Sequence, residues 1–122
     1  MIILDSTVLM DNLRGLAAAG DYLRSVTDVP ACSEITRVEI LRGLRGREGE
    51  AAEGLFSVLR WIPLDERIAR RAGELGERYR SSHGNLALAD LVIGATALEL
   101  DAALATLNVR HFPMIPGLKA PY

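Results

Sequence analysis

Short apolar runs alternate with helix-like segments along this chain, and this alternation limits the folds that it can adopt. The runs have the length and composition of buried strands, and they comprise Ile2 to Leu4, Val29 to Cys32, Arg60 to Leu64, Ala103 to Thr106 and the shorter Met114 to Ile115. Strands that alternate with helices in a short chain form a parallel sheet covered by helices. We therefore expect an α/β fold with a small parallel sheet of four to five strands, flanked by helices on both faces.

Six segments between these runs have helical periodicity or helix-capping residues. They are Thr7 to Arg14, Asp21 to Val26, a helix that Ser33 caps, Glu50 to Leu59, Asp65 to about Ser82, and Leu86 to Leu100. In the helix after Ser33, the apolar residues at helical spacing predict the buried face, and they are Ile35, Val38, Leu41 and Leu44. We expect a loop or a single helical turn from Asn108 to Phe112.

The composition favours one folded domain that is not embedded in a membrane. Apolar residues make up 49% of the 122 residues and charged residues 25%, and one core typically takes about 100 to 150 residues, so residues 1–122 are expected to form a single domain. The longest apolar stretch, Leu86 to Leu98, is shorter than the roughly 20 residues that span a bilayer. Asp5 follows only three apolar residues with no basic segment before them, and Cys32 is the lone cysteine. We expect a cytoplasmic protein.

The charge balance excludes binding to nucleic acid through the overall electrostatic field, because the net charge is −2. Any such binding has to use local groups. Of the 14 basic residues only Lys119 is a lysine, and the arginine side chain suits two-point contacts with phosphate. Codon bias in a GC-rich genome explains the excess of arginine more simply than selection for phosphate binding.

Asp90 is the only charged residue in the apolar stretch from Leu86 to Leu98. On a helix it shares a face with Ile93 and Ala97, so its carboxylate projects from an apolar stripe. Burial of a carboxylate without a partner costs several kcal/mol or raises its pKa until it is neutral. A metal ion would stabilise the charge. The alternative is that Asp90 caps a helix that begins later, at Leu91.

Two other acids are less conspicuous by themselves. Asp5 directly follows the first predicted strand, and taken alone it could be no more than a helix N-cap. Glu39 lies one turn into the helix after Ser33, where it could be a surface residue paired with Arg42. Together with Asp90, however, both acids fall where the carboxyl ends of parallel strands bring ligands together.

Carboxylates from separate elements at one edge of a sheet are suited to Mg²⁺ or Mn²⁺, because these ions prefer oxygen ligands. Such ions activate water for attack on phosphorus and stabilise the charge that develops on phosphate oxygens. The residues therefore predict hydrolysis of a phosphodiester bond. His83 cannot be assigned to this edge from the sequence and is interpreted as a turn residue.

Four segments of the chain, in this order, resemble those of PIN-domain ribonucleases of the VapC toxin type. They are Ile3 to Leu9, Ser33 to Gly43, Leu88 to Ala97 and Leu104 to Phe112. The resemblance covers nearly the whole chain and implies a PIN domain whose metal-binding and catalytic acids are Asp5, Glu39 and Asp90. It also implies that Ser6 or Thr7, together with Thr106, supplies hydroxyls beside these acids, with Asn108 as a further supporting residue.

The same resemblance implies the activity and the partners of the protein. Proteins of this kind are toxins that cut RNA with the help of Mg²⁺ or Mn²⁺, usually as homodimers, and a cognate VapB-type antitoxin covers the site. An antitoxin arginine among the acids would be a sensible inhibitor, because it replaces the charge of the cation.

One departure from the family pattern lies in the last segment. Many members have a fourth acid just before the phenylalanine, where this chain has His111, and Asn108 is neutral too. With three carboxylates we expect one firmly bound ion, and His111 could contact the metal or a phosphate or could simply lie at the surface. The candidate RNA contacts near the motif segments are Arg37, Arg42, Arg45, Arg47, Arg110 and His111.

Two other classes of protein are weighed against the nuclease. A PIN-like module that has lost catalysis and only binds RNA or a partner stays open because of His111. A receiver-like phospho-acceptor domain also clusters acids around magnesium, but it uses a lysine after a late strand. The only lysine here, Lys119, lies in the tail, so this class is set aside.

Overall fold

A computed structural model describes all 122 residues and contains four strands and six α-helices. The strands are β1 (Ile2–Leu4), β2 (Ala31–Ser33), β3 (Arg60–Ile62) and β4 (Ala103–Ala105). The helices are α1 (Ser6–Leu13), α2 (Ala17–Ser25), α3 (Glu34–Gly43), α4 (Glu48–Ser57), α5 (Glu66–His83) and α6 (Leu88–Glu99), and a 3₁₀ turn covers Val109–His111. The predicted α/β fold is confirmed, and no helix is long and apolar enough to cross a membrane.

The sheet has the strand order β3-β2-β1-β4, and every pair is parallel. β1 lies inside the sheet and pairs with both β2 and β4, while β3 and β4 are the edge strands. The carboxyl ends of β1, β2 and β4 are therefore adjacent. This places Asp5, the start of α3 and Thr106 at one edge of the sheet.

The two faces of the sheet are covered by separate hydrophobic clusters, because successive strand residues point to opposite faces. Ile3 and Leu104 pack with α5 and α6 on one face. Leu4 and Ala105, which are the next residues in register, pack with α1, α3 and α4 on the other. The expectation of helices on both faces is thus confirmed.

The predicted strand at Met114 to Ile115 is wrong, because this segment is a turn. Met114 is buried against α6 rather than paired in the sheet. A Cβ at Gly94 of α6 would lie 2.8 Å from the Met114 sulfur, so only glycine leaves room for this side chain. The apolar character of the segment reflects packing on a helix and not strand pairing.

The predicted buried face of α3 is only half right, because Ile35 and Leu44 pack against the two core clusters but Val38 and Leu41 do not. Val38 and Leu41 are 55% and 45% exposed, whereas Thr36 and Ile40 are fully buried. The helix turns the stripe that contains Thr36 and Ile40 toward the core, so residues 38 and 41 point away from it. Glu39, next to Ile40, lies at the border of the buried stripe.

Two capping predictions are confirmed, and the alternative that makes Asp90 a helix cap is wrong. The Ser33 side chain accepts a hydrogen bond from the Ile35 amide, and Asp65 accepts one from the Ile68 amide at the start of α5. The alternative in which Asp90 caps a helix from Leu91 is wrong, because α6 begins at Leu88. Asp90 belongs to the first turn of α6, and its burial therefore needs another explanation.

Candidate active site

Asp5 is held at the carboxyl end of β1 by two hydroxyl groups. Its side chain is 2% exposed, and its backbone amide continues the sheet by donating to Ala105. Thr7 Oγ1 donates to Asp5 Oδ2 at 3.0 Å, and Thr106 Oγ1 donates to the same oxygen at 2.7 Å. Because both hydroxyls bind Oδ2, neither occupies the other carboxylate oxygen.

Backbone amides fix the direction of these two hydrogen bonds. The Leu107 amide donates to Thr7 Oγ1 at 3.1 Å, and the Asn108 amide donates to Thr106 Oγ1 at 3.0 Å. Each threonine thus accepts from the backbone and donates its only proton to Asp5. Asn108 supports the site through its backbone amide, a role that its side-chain chemistry could not have indicated.

Glu39 extends from α3 into the same region and is incompletely paired. Its Oε1 atom is buried and has no hydrogen-bond partner. Burial raises the pKa of Glu39, and the charges of Asp5 and Asp90 raise it further, while hydrogen bonding to Ser6 and the charge of Arg42 lower it. Ser6 and Thr7 therefore have different roles. The hydroxyl of Thr7 donates to Asp5, and that of Ser6 lowers the pKa of Glu39.

Asp90 is the third acid and is 8% exposed in the first turn of α6. Burial raises the pKa of Asp90, and so does the charge of Asp5, whereas the charge and hydrogen bond of His111 lower it. His111 Nδ1 lies 3.1 Å from Asp90 Oδ2. His111, which replaces the fourth acid of the family pattern, therefore contacts one of the three remaining acids directly.

The structure brings the three acids together as electrostatic neighbours, with Asp5 raising the pKa of both Glu39 and Asp90. No three acidic, histidine or cysteine side chains stand close enough to form a ready-made metal site. The donor set nevertheless fits a hard divalent cation, because it consists of carboxylates and one of their buried oxygens has no partner. A shared ion stays a prediction.

Sequence reasoning missed two residues near these acids. Thr36 is fully buried on α3, and its hydroxyl shares with Glu39 Oε1 the property of having no hydrogen-bond partner. Thr36 and Glu39 are three residues apart and lie on one face of the helix. His83 was interpreted as a turn residue, but it ends α5 and lines a cavity with Asp90 and His111. The sequence signal for Thr36 is its spacing of four residues from Ile40, which places both residues on the same face of α3.

The predicted RNA-contacting arginines have different environments. Arg37 makes two hydrogen bonds to Glu34, of 2.6 and 3.3 Å, and its guanidinium carbon lies 3.9 Å from the centre of the Trp61 ring. Its charge is thus already engaged within the protein. The charge of Arg42 lowers the pKa of Glu39. Arg110 forms no ion pair and lines a cavity beside Asp90.

Comparisons with known proteins match this chain over its full length. The family model of the PIN domain matches residues 2–117. The chain is 45% identical to "Ribonuclease VapC19" and 46% identical to "Ribonuclease VapC10", both from Mycobacterium tuberculosis. Both alignments cover all of this chain, together with 100% of VapC19 and 93% of VapC10.

The fold also matches a solved structure, a toxin–antitoxin complex from Klebsiella pneumoniae, with a TM-score of 0.86 and 28% identity. The match covers 100% of this chain and 98% of that chain. The resemblance inferred from the four sequence segments is confirmed. This chain belongs to the PIN-domain family and, within it, to the VapC ribonucleases.

Proposed function

We propose that this protein is a toxin that hydrolyses RNA phosphodiester bonds with the help of Mg²⁺ or Mn²⁺ and is inhibited by a cognate antitoxin. Two relatives that cover the whole chain are named ribonucleases, and a solved structural neighbour is a toxin–antitoxin complex. Asp5, Glu39 and Asp90 are the proposed ligands of the cation and the catalytic acids.

The observation that carries the proposal is the buried Glu39 Oε1 atom without a hydrogen-bond partner. A buried acceptor left unsatisfied costs about 1–3 kcal/mol, and more when it is charged. Asp5 and Asp90 add repulsion, which raises the pKa of Glu39. A cation among these acids would remove both penalties, which accounts for a costly arrangement that the fold alone does not need.

The chain's own residues divide the remaining tasks. A bound ion would stabilise the negative charge that develops on the phosphate oxygens during attack by water. Thr7 and Thr106 keep Asp5 in one orientation, and the hydroxyl of Ser6 lowers the pKa of Glu39. His111 Nδ1 contacts Asp90 Oδ2 and so orients the Asp90 carboxylate.

Assembly and location are parts of the same proposal. The antitoxin is expected to be of the VapB type and to insert a basic side chain among the three acids, where it would neutralise their repulsion. A homodimer and a cytoplasmic location are expected from the family resemblance and the lone cysteine, respectively. Size-exclusion chromatography with light scattering would test the dimer.

Cleavage of a structured RNA in the presence of Mn²⁺ tests the activity. Asp90→Asn keeps the size of the side chain but removes its charge, so we expect cleavage to fall by about 10²- to 10³-fold or more. Arg60→Gln is a suitable control, because Arg60 is exposed at the start of the edge strand β3 and forms no ion pair. Its cleavage rate should equal that of the wild type.

The alternative function, an RNA- or partner-binding module with weakened catalysis, rests on His111 in the position of the fourth acid. It predicts that the wild type binds RNA but does not cleave it at any Mn²⁺ concentration. Cleavage that needs no metal, or no cleavage at all, would contradict the proposed nuclease mechanism and support the binding module.

A further inference from the structure

A surface cavity of about 340 Å³ opens beside Asp90, next to the cluster of three acids. Its walls come from the end of α5, the turn that follows, the first turn of α6 and the 3₁₀ turn after β4. The polar side chains that line it are those of His83, Asn85, Asp90, Arg110 and His111. Asp90 is the only acid among them, and the other four can donate hydrogen bonds. The cavity therefore suits an anion better than a cation.

Arg110 carries a positive charge that no carboxylate of the protein neutralises. It forms no salt bridge, and Asp90, the acid in the cavity, is contacted by His111 instead. Arg67 and Arg71 of α5, by comparison, both pair with Glu99, whereas Arg78 and Arg80 of the same helix form no ion pair either. What distinguishes Arg110 from these two is its position in the wall of the cavity beside Asp90. An exposed guanidinium with no internal partner keeps its planar set of donors for a phosphate.

The position of the cavity limits which anion it can hold. It shares Asp90 with the acid cluster, so it lies next to the place where a strand cut at the acids would be held. An RNA strand carries a phosphate at every nucleotide, and the phosphates beside the cleaved one lie close to it along the backbone. The anion that reaches the cavity together with the substrate is therefore a neighbouring backbone phosphate.

We propose that this cavity binds an RNA backbone phosphate adjacent to the one that is cut, with Arg110 as the main contact and Asn85 as a second donor. The inference rests on the proposed ribonuclease function and extends it to the path of the strand. It also separates Arg110 from Arg37, whose guanidinium is engaged by Glu34 and Trp61. The strand thus runs from the acids toward the 3₁₀ turn after β4.

Binding measured without cleavage tests the inference. The probe is a fluorescently labelled stem-loop RNA, with Kd measured by anisotropy in EDTA over a range of potassium chloride concentrations. We expect Arg110→Gln to raise Kd about five- to tenfold and to reduce the slope of log Kd against log salt by about 0.7 to 1, the value for one lost phosphate contact. Arg110→Lys should keep the slope and lose part of the affinity, because lysine keeps the charge without the fork.

Arg60→Gln is the matched control, since Arg60 is an exposed, unpaired arginine on β3, at the opposite edge of the sheet from β4. Its Kd and slope should equal those of the wild type. Equal values for wild type and Arg110→Gln, or equal losses in Arg110→Gln and Arg60→Gln, would overturn the phosphate cavity.

The nuclease proposal is tested separately by cleavage with Mn²⁺. A wild type that cleaves, together with an Arg110→Gln variant that binds RNA normally, would overturn the cavity and leave the nuclease intact. A wild type that binds through Arg110 but never cleaves would overturn the nuclease and support the cavity as an RNA contact.

Discussion

Asp5 differs from the other two acids of the site in how completely the protein satisfies it. Its Oδ2 atom accepts two hydrogen bonds from threonines that backbone amides hold in place. Glu39, by contrast, has a buried oxygen without a partner, and burial raises the pKa of both Glu39 and Asp90. One acid is thus a fixed anchor, and the other two are held under electrostatic strain.

This difference indicates what each part of the site contributes. Asp5 follows β1 and is hydrogen-bonded to Ala105 and Thr106 at the end of β4, so it cannot shift without disturbing the sheet. The acids from α3 and α6 are desolvated and repel Asp5, so a cation that joins all three would gain most of its binding energy from them. We therefore expect substitutions at the anchor to lower both stability and activity, and neutral substitutions at the other two acids to lower activity without lowering stability.

The largest effect should separate Asp5→Ala from Glu39→Gln. Both variants should lose cleavage by about 10²-fold or more, because each removes a proposed ligand. Asp5→Ala should also lower the free energy of unfolding by about 2–4 kcal/mol, since it leaves the buried hydroxyl of Thr106 and the half-buried hydroxyl of Thr7 without their acceptor. Glu39→Gln should be as stable as the wild type or more so. Urea denaturation with EDTA present measures this, and an equal loss of stability in both variants would contradict the comparison.

Substitution of the anchoring hydroxyls should have the next largest effect. Thr106→Val preserves the shape of the side chain but removes the donor to Asp5 and the acceptor of the Asn108 amide. We expect a loss of about 1–3 kcal/mol in stability and about tenfold in kcat with KM little changed. Ser25→Ala, on the exposed end of α2, is the control. A change in KM alone would show that Thr106 does not position the catalytic acid.

The metal-free protein should become less stable as pH rises, because Glu39 and Asp90 have raised pKa values in the folded state. The folded-state pKa values of Glu39 and Asp90 lie above those of the unfolded chain, so the unfolded state releases these protons first as pH rises. Stability is therefore lost between the unfolded value, about 4, and the raised folded value.

Asp90→Asn removes the Asp90 part of this loss. In EDTA, we expect its Tm to exceed that of the wild type by a few degrees at pH 7, and to equal it below about pH 3, where both acids are protonated. Circular dichroism melts at the two pH values measure the difference. A lower Tm for Asp90→Asn at pH 7 would mean that ionised Asp90 stabilises the fold, against the raised pKa.

The smallest effect concerns the position of the missing fourth acid. His111→Asp places a carboxylate beside Asp90, where the histidine now contacts Oδ2. We expect Mn²⁺ to bind several-fold more tightly, and the metal-free protein to be slightly less stable because of added repulsion. Isothermal titration calorimetry measures the affinity, with His83→Asp as a control that adds a carboxylate at another residue of the cavity wall. An unchanged affinity would place residue 111 outside the metal centre.

Much of the fold could be predicted from the sequence because local patterns agree with it. β1, the Ser33 cap and the Asp65 cap follow from short apolar runs and capping residues. The strand expected at Met114 and the burial expected for Val38 and Leu41 are wrong, because apolar character alone does not show what a side chain packs against. Met114 fills the space left by Gly94, and α3 turns a stripe containing a threonine toward the core.

The site could be predicted only in part for the same reason. Asp90 stood out because a charge in an apolar helix is costly, and strand order then placed Asp5 nearby. Nothing local distinguished Thr7 from Ser6, or indicated that His83 would reach the cavity beside Asp90. These details depend on tertiary packing, and the contact of Thr106 with Asp5 joins residues 101 positions apart.

The most direct test of the account is a crystal of this protein soaked in Mn²⁺ and measured at the manganese absorption edge. The account predicts an anomalous peak within about 2.0–2.3 Å of carboxylate oxygens from Asp5, Glu39 and Asp90. A peak elsewhere, or none at an Mn²⁺ concentration that supports cleavage, would contradict it.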